Sequence, residues 1–348
     1  MRVHLGHHFY GAGNLGDDFM LAGFLAAMQS LAPGAAFTCC VPFAIEPMQQ
    51  RFPTISWLPY EDRERARCIA ECDVWLGLGG SPFQNARSRW FVEHLVAESE
   101  WCRSAGKPMF FLGVGVQTLK ELTDLDVRRL CSHAAGIWTR DDASAERLRS
   151  LPSPPPIHAA ADLAHVFFRA TPPPPAQPRR LTLVANFDYG TWQGQVACLD
   201  ALRTLPAQEC IWLAQESRRL PGAERELHAA LSPVELARWR LVAPERPGTA
   251  LKNVLQGWPS GEWLVTARYH AAIAGAWAGS KIIVLSTNEK LRGAAHTLHT
   301  PLLATVASEA AVKRALEAAQ PIAPPLALAD RAQAACAEFV RSAVAHRR

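Results

Sequence analysis

The chain has 348 residues, of which 49% are hydrophobic and 20% charged, with 36 basic against 32 acidic side chains for a net charge of +4. That length suits two domains at roughly 150 residues each, and the composition excludes a disordered or collagen-like chain. The basic residues are scattered, apart from short pairs such as Arg179–Arg180 and Arg347–Arg348, which argues against a nucleic-acid interface.

No apolar run reaches the roughly 18 residues a membrane-spanning helix needs; the longest, at 109–116 and 271–278, are short and broken by glycine. Met1–Tyr10 has no basic segment followed by an apolar one, so no secretory signal is read there and a cytoplasmic location is expected. Nine cysteines, an odd count at low density, fit reduced cytosolic thiols better than a disulfide framework. Cys68 and Cys72 stand four residues apart, but no second Cys/His pair follows, so no metal is expected.

Short apolar stretches alternate with segments of helical period, the pattern of an α/β protein with mainly parallel sheets. Strands are expected at Arg2–Gly6, Ala36–Val41, Val74–Leu78, Pro108–Leu112 and Gly136–Thr139, with helices between them, the first over Asp17–Ala27. Thr171–Arg180, reading TPPPPAQPRR, is a stiff extended connection rather than a core element. A second strand series follows at Leu181–Ala185, Glu209–Ala214, Arg240–Val242, Glu262–Thr266 and Lys281–Leu285, and the alanine-rich Ala327–His346 closes the chain as a helix. The expected organisation is therefore a domain over 1–170, a linker over 171–180, a second domain over 181–325 and a terminal helix over 326–348.

Gly11-Ala12-Gly13-Asn14-Leu15-Gly16 lies between the first strand and the first helix and matches G-x-G-x-x-G, the dinucleotide fingerprint. Against a dinucleotide stand the delay of the turn by His7-His8-Phe9-Tyr10, the Asp17-Asp18 pair where a pyrophosphate would lie, and the lack of an acid ending the second strand. The string G-N-L-G-D-D instead resembles the opening motif of the polysaccharide pyruvyltransferase family. A turn residue and an N-cap account for Asn14 and Asp17 in local terms as well.

Ligands of open parallel sheets bind outside the carboxyl ends of strands, and the loops there are the informative ones. Gly79-Gly80-Ser81-Pro82-Phe83 and Gly113-Val114-Gly115-Val116-Gln117 follow two first-series strands, where glycine lets backbone amides approach an anion or segments pack closely. Arg140-Asp141-Asp142-Ala143-Ser144 is similar to the family's R-D-x-x-S segment, and Ala161-Asp162-Leu163-Ala164 to its P-D-x-A segment, with alanine replacing proline. An ion pair of Arg140 with Asp141, Asp142 or Asp162 is the alternative to anion binding. Arg268-Tyr269-His270, a small-residue helix, a strand and then Lys290 resemble the family's R-x-H segment in the same order. His270 then stands at a helix N-terminus, where the dipole favours anions; a cap or core histidine and a surface lysine are the alternatives for His270 and Lys290. These matches are collinear from Gly6 to Lys290, and His7–Tyr10 and Ala161 depart from the pattern, the former read as extra groups lining a cleft.

The resemblance implies a GT-B-like fold, two Rossmann-like domains with mainly parallel sheets facing a central cleft, the first on the acceptor side and the second on the donor side. It implies transfer of the pyruvyl group of phosphoenolpyruvate to two hydroxyls of one sugar as a cyclic ketal, with no metal or bound cofactor. Such a donor brings a carboxylate and a phosphate, for which guanidinium groups are suited, and protonation at its carbon 3 calls for an acid titrating near neutrality. On that basis His270 and Asp17 are the catalytic candidates; Arg140, Arg268, Lys290 and Gly115 the donor site; and Asn14, Gly80, Ser81 and Gln117 the acceptor side. The net charge suits an anionic donor and a lipid-linked or polymeric glycan acceptor near the inner membrane face, and Trp90 and Trp192 are candidates for stacking on sugar. A nucleotide-sugar glycosyltransferase, with Glu289 holding a ribose, and a non-catalytic sugar-binding relative are the competing readings.

Overall fold

Short apolar strands joined by helices pair in parallel, because each helix carries the chain back to the same end of the sheet. The computed structural model describes residues 1–84, 89–186, 198–216, 223–244, 247–286, 288–304 and 307–346; Trp192 and the Arg347–Arg348 pair lie outside them. The chain divides into two units, one of Met1–Ala12, Asp17–Phe167 and Leu326–Arg348, the other of Gly13–Gly16 and Phe168–Pro325.

The first unit carries β1 (Arg2–Leu5), β2 (Ala36–Val41), β3 (Ile55–Pro59), β4 (Val74–Leu78), β5 (Met109–Val114), β6 (Ala134–Thr139) and β7 (Ile157–Ala159) in the order β3-β2-β1-β4-β5-β6-β7. Every pairing is parallel, with Leu5 opposite Leu76 where β1 meets β4. β4 and β5 are buried at every position, the continuous apolar pattern of strands covered on both faces. Phe111, Val92, Leu95, Leu130 and Leu148 belong to the core packed there. The C-terminal helix Leu326–Ala345 belongs to this unit: Phe339 lies 5.7 Å from Phe110 and 6.2 Å from Phe24 between ring centres, and Trp138 donates to Glu338 at 2.9 Å.

The second unit repeats the plan with β8 (Gln177–Val184), β9 (Glu209–Leu213), β10 (Trp239–Val242), β11 (Gly261–Thr266), β12 (Lys281–Ser286) and β13 (Leu302–Ala304), ordered β10-β9-β8-β11-β12-β13 and parallel throughout. Helix Tyr269–Ala278 is buried from His270 to Ala278, as a helix apolar on every side beyond its first turn must be. It ends on Gly279 in the left-handed conformation, φ 80°, the usual glycine stop.

Both sheets reverse strand order at one point, between β1 and β4 and between β8 and β11, and such a switch point is where open α/β sheets bind ligands. Three differences from the expected elements stand out. β3, β7 and β13 were not anticipated; they lie at the edges of their sheets, and β7 and β13 have only three residues each. β5 runs on to Val114. β8 begins at Gln177, paired with Gly261, so 177–180 belong to a strand and not to the proline-rich connection. Among the described residues no helix is long and apolar enough to cross a membrane.

Candidate active site

In the first unit the loops after β4, β5 and β6 converge on Arg140. Its backbone N–H donates to Val114 O at 2.8 Å, and its guanidinium, 1% exposed, reaches Gly80 O at 3.4 Å and Ser81 Oγ at 3.3 Å. Gly115 donates to Gly80 O at 2.9 Å and lies flat against the guanidinium, where an added Cβ would stand 2.3 Å from Nη2. The structure thus brings Gly80, Ser81, Gly115 and Arg140 together. Of the acids weighed as partners, Asp141 forms an ion pair with Arg140, 3.6 Å from Nε, while also capping helix Asp142–Arg149 by accepting from Ser144 N at 2.7 Å; Asp142 pairs with Arg331 at 2.6 Å, and Asp162 accepts from Ala164 N at 2.9 Å. Gln117 belongs to a different arrangement, since its N–H donates to Glu121 Oε2 at 3.2 Å.

The adjacent acids after the first turn part company. Asp18 is fully buried, accepts from Gly11 N at 2.6 Å and forms an ion pair with the equally buried Arg51 at 2.5 Å, whereas Asp17 is half-buried in the first turn of helix Leu15–Leu31. His7–Tyr10, expected to line a cleft, divide as well. His7 Nδ1 and Tyr10 OH both donate to Leu78 O, at 3.0 and 2.5 Å, fastening the end of β1 to the end of β4 from buried positions. His8, 4% exposed, is ringed by aromatic side chains.

Burial lowers His7 to about 4 against two opposing backbone hydrogen bonds, and lowers His8 to about 3, with His7, His94 and Arg65 adding to the effect. Both folded values lie below the ordinary 6.5, so the unfolded chain binds more protons between them. Stability is full above pH 6.5 and falls as the pH drops from 6.5 toward 4. His7 alone accounts for about 3 kcal/mol of that loss. Urea unfolding at pH 7.5 and pH 5 is expected to show it, and a His7→Gln variant is expected to have a smaller difference between the two.

In the second unit the loop after β11 supplies the cluster. Arg268 is the N-cap residue of helix Tyr269–Ala278; its N–H donates to Thr266 Oγ1 at 2.9 Å and its Nε to Glu224 Oε1 at 2.6 Å. Glu224 is fully buried, which pushes its carboxyl up against the opposing pull of Arg268. His270 follows in the first helical turn, 3% exposed, with its ring perpendicular to Tyr269 at 5.2 Å. Lys290, in the first turn of helix Glu289–Thr297 that Asn288 caps, holds its ammonium 5.0 Å from the Tyr269 ring centre, a cation–π distance.

The turn Gly13–Gly16, expected on the first domain's side, groups with this second unit. Asn14 Oδ1 accepts from Gly16 N at 3.1 Å and from Gln215 Nε2 at 3.4 Å, and Asn14 bridges Glu216. Gly16 abuts the imidazole: a Cβ there would stand 2.0 Å from His270 Nδ1. Asn14, Gly16, Arg268, Tyr269, His270 and Lys290 therefore share one unit. Glu224, Gln215 and Glu216 were missed, because an acid in a charged stretch such as Ala223–Glu226 reads as solvated until its burial is known. Among the described residues no three His, Cys, Asp or Glu side chains are grouped to hold a metal ion.

Two all-parallel sheets with the Rossmann strand order, each with polar residues gathered at its carboxyl edge, define a two-domain α/β protein of the GT-B-like class. Solved structures agree on the fold. UDP-GlcNAc 2-epimerase from Neisseria meningitidis bound to UDP-GlcNAc is 12% identical with a TM-score of 0.64, over 98% of this chain and 100% of that one. HepE from Anabaena in complex with UDP and glucose is 11% identical with a TM-score of 0.59, over 99% and 97%. UDP-GlcNAc 2-epimerase from Methanocaldococcus jannaschii is 10% identical with a TM-score of 0.59, over 98% of each chain. A search of curated proteins gives no significant match. The family model of polysaccharide pyruvyl transferase matches residues 14–205, more than half of the chain. The chain belongs to the polysaccharide pyruvyl transferase family. Asn14, Asp17, Gly80, Ser81, Gly115, Gln117 and Arg140 lie inside the matched stretch, and Arg268, His270 and Lys290 beyond it.

Proposed function

We propose that the chain transfers the pyruvyl group of phosphoenolpyruvate to two hydroxyls of one sugar of a glycan, forming a cyclic ketal and releasing phosphate. The observation that supports it most is the grouping of Arg268, His270 and Lys290 at one sheet edge, in a chain of a family of pyruvyl transferases. A lysine, an imidazole and an arginine that shares its charge with the buried Glu224 suit a donor that carries a phosphate and a carboxylate and must be protonated.

In this reading His270 gives a proton to carbon 3 of the donor, carbon 2 acquires oxocarbenium character, and a sugar hydroxyl adds there while its proton passes to Asp17. Phosphate then leaves carbon 2 with the electron pair of the C–O bond, its charge met by a cation, and the second hydroxyl of the sugar closes the ketal as its proton passes to the deprotonated His270. Arg268 and Lys290 hold the donor anion, Arg140 supplies an anion-holding guanidinium in the first unit, and the amides around Gly115 support it. Gly80, Ser81 and Gln117 are assigned to the acceptor, as is Asn14, and no metal or bound cofactor is required. The acceptor class includes polymeric and lipid-linked glycans at the inner membrane face, and the reaction is assigned to the cytoplasm.

Calorimetric titration with phosphoenolpyruvate is the test, with UDP-glucose and NAD in parallel because the fold's relatives are solved with UDP. Saturable binding of phosphoenolpyruvate alone is expected, weakened roughly tenfold to a hundredfold in Lys290→Ala and in Arg140→Ala, the loss of one or two charge-assisted hydrogen bonds. Binding of UDP-glucose in its place would make the protein a glycosyltransferase, and unchanged affinity in both variants would remove these cations from the donor site.

A further inference from the structure

A group of aromatic rings at the carboxyl edge of the first sheet has no part in the chemistry above. His8 follows β1, Tyr60 follows β3, and Trp90, Phe91 and His94 stand on helix Arg89–Ser104, which follows β4. They form one continuous cluster. Ring centres are 4.5 Å apart for His8 and Tyr60, 4.9 Å for His8 and Trp90, 4.3 Å for Trp90 and His94, and 5.8 Å for Tyr60 and His94.

The cluster is not closed off like a core. Trp90 is 46% exposed, and Tyr60, Phe91 and His94 are half-buried around the nearly buried His8. An exposed tryptophan backed by further rings is a rigid flat surface with polar edges, and ordering it costs little entropy because the rings already hold each other.

From this geometry we infer that Trp90, Tyr60, His94 and His8 form a subsite for a neutral pyranose ring of the glycan acceptor, stacked on Trp90 with a hydroxyl turned toward His8. The inference rests on the proposed glycan acceptor and adds to it the residues that grip the sugar.

Charge selects this occupant over the donor. His8 is held neutral far below pH 7 by burial. The cations beside the cluster, Arg65 and Arg89, are both paired: Arg65 lies 3.2 Å from the buried Glu98 and 3.1 Å from Asp62 and donates to Tyr60 OH at 2.5 Å, and Arg89 pairs with Asp124 at 2.8 Å and with Asp126 and Glu93. That pairing disfavours a phosphate or carboxylate, whereas a pyranose offers C–H groups to a ring face and hydroxyls to an imidazole. The position agrees, since β1 and β4 flank the switch point of this sheet.

Saturation-transfer NMR of the full chain with the methyl α- and β-pyranosides of glucose, galactose and mannose tests it, alongside a phosphoenolpyruvate titration of the same samples. At least one glycoside is expected to receive saturation on one face of its ring, with affinity about tenfold weaker in Trp90→Ala and largely kept in Trp90→Phe. Phosphoenolpyruvate affinity is expected to be equal in all three proteins. Absence of any glycoside signal, or equal glycoside affinity in wild type and Trp90→Ala, overturns the subsite even where phosphoenolpyruvate binds. Trp90-dependent glycoside binding without phosphoenolpyruvate binding upholds the subsite and overturns the donor assignment instead.

Discussion

His270→Ala is expected to lower turnover by about 10²–10⁴-fold, the range of a general acid's contribution. The assay is phosphate release from phosphoenolpyruvate in the presence of glycosides carrying 1,3-diols. The imidazole is 3% exposed and packs against Gly16 and Tyr269, so its removal also leaves a small cavity with a stability cost of its own. The pH profile separates the two effects. A proton donor imposes a fall in rate as the pH rises through its titration, and that limb should vanish in His270→Ala. A packing role would instead lower the melting temperature and leave the shape of the profile intact.

Gly16→Ala supplies the companion measurement. It alters no titrating group, yet its Cβ would stand 2.0 Å from His270 Nδ1. Either the ring or the Asn14 turn has to move, and a displacement of about 1 Å in a reacting group can cost on the order of 10²-fold. The expected outcome is reduced turnover with the wild-type pH profile retained. Turnover equal to wild type in Gly16→Ala and in His270→Ala would remove the imidazole from the mechanism.

The second large effect concerns stability. Asp18 and Arg51 are both wholly buried and 2.5 Å apart, and taking away one member of a buried pair strands the other charge at a cost of about 3–5 kcal/mol. Arg51→Ala is therefore expected to lower the free energy of unfolding by that amount in urea titrations. The double replacement Asp18→Leu with Arg51→Met is expected to recover much of it, because two apolar side chains of similar volume leave no charge uncompensated. Gly11 loses the acceptor for its N–H in that double variant, so recovery stops short of complete by about 1 kcal/mol. Asp17→Asn is expected to behave oppositely, with stability nearly unchanged and turnover reduced. If Asp17→Asn destabilised as much as Arg51→Ala does, Asp17 would also be a structural acid.

These neighbouring acids mark the limit of what the sequence reveals. Asp17 and Asp18 look alike in G-N-L-G-D-D, and only the position of Arg51, 33 residues on, assigns one to the interior. Arg268 was legible as a strand-end cation, but Glu224 was not, because a lone acid in a charged segment carries no mark of burial. His7 and Tyr10 were read as groups lining a cleft, and only the fold showed both buried and donating to Leu78 O. The edge strands β3, β7 and β13 were missed for a related reason: with fewer buried positions, they lack the continuous apolar runs that announce a central strand.

By itself the sequence determined the alternation of strands and helices, the central strands of both sheets and the order of strand-end motifs that marks the family. These are local or collinear properties, written in periodicity, glycine placement and the residues next to strand ends. The tertiary structure alone decided which charges are paired, that Gly13–Gly16 belongs with the second unit and that the C-terminal helix belongs with the first. Such pairings join residues tens to hundreds of positions apart, as between Asn14 and Gln215 or Phe110 and Phe339. Burial and proximity at that range depend on how the whole chain packs, and no local pattern encodes them.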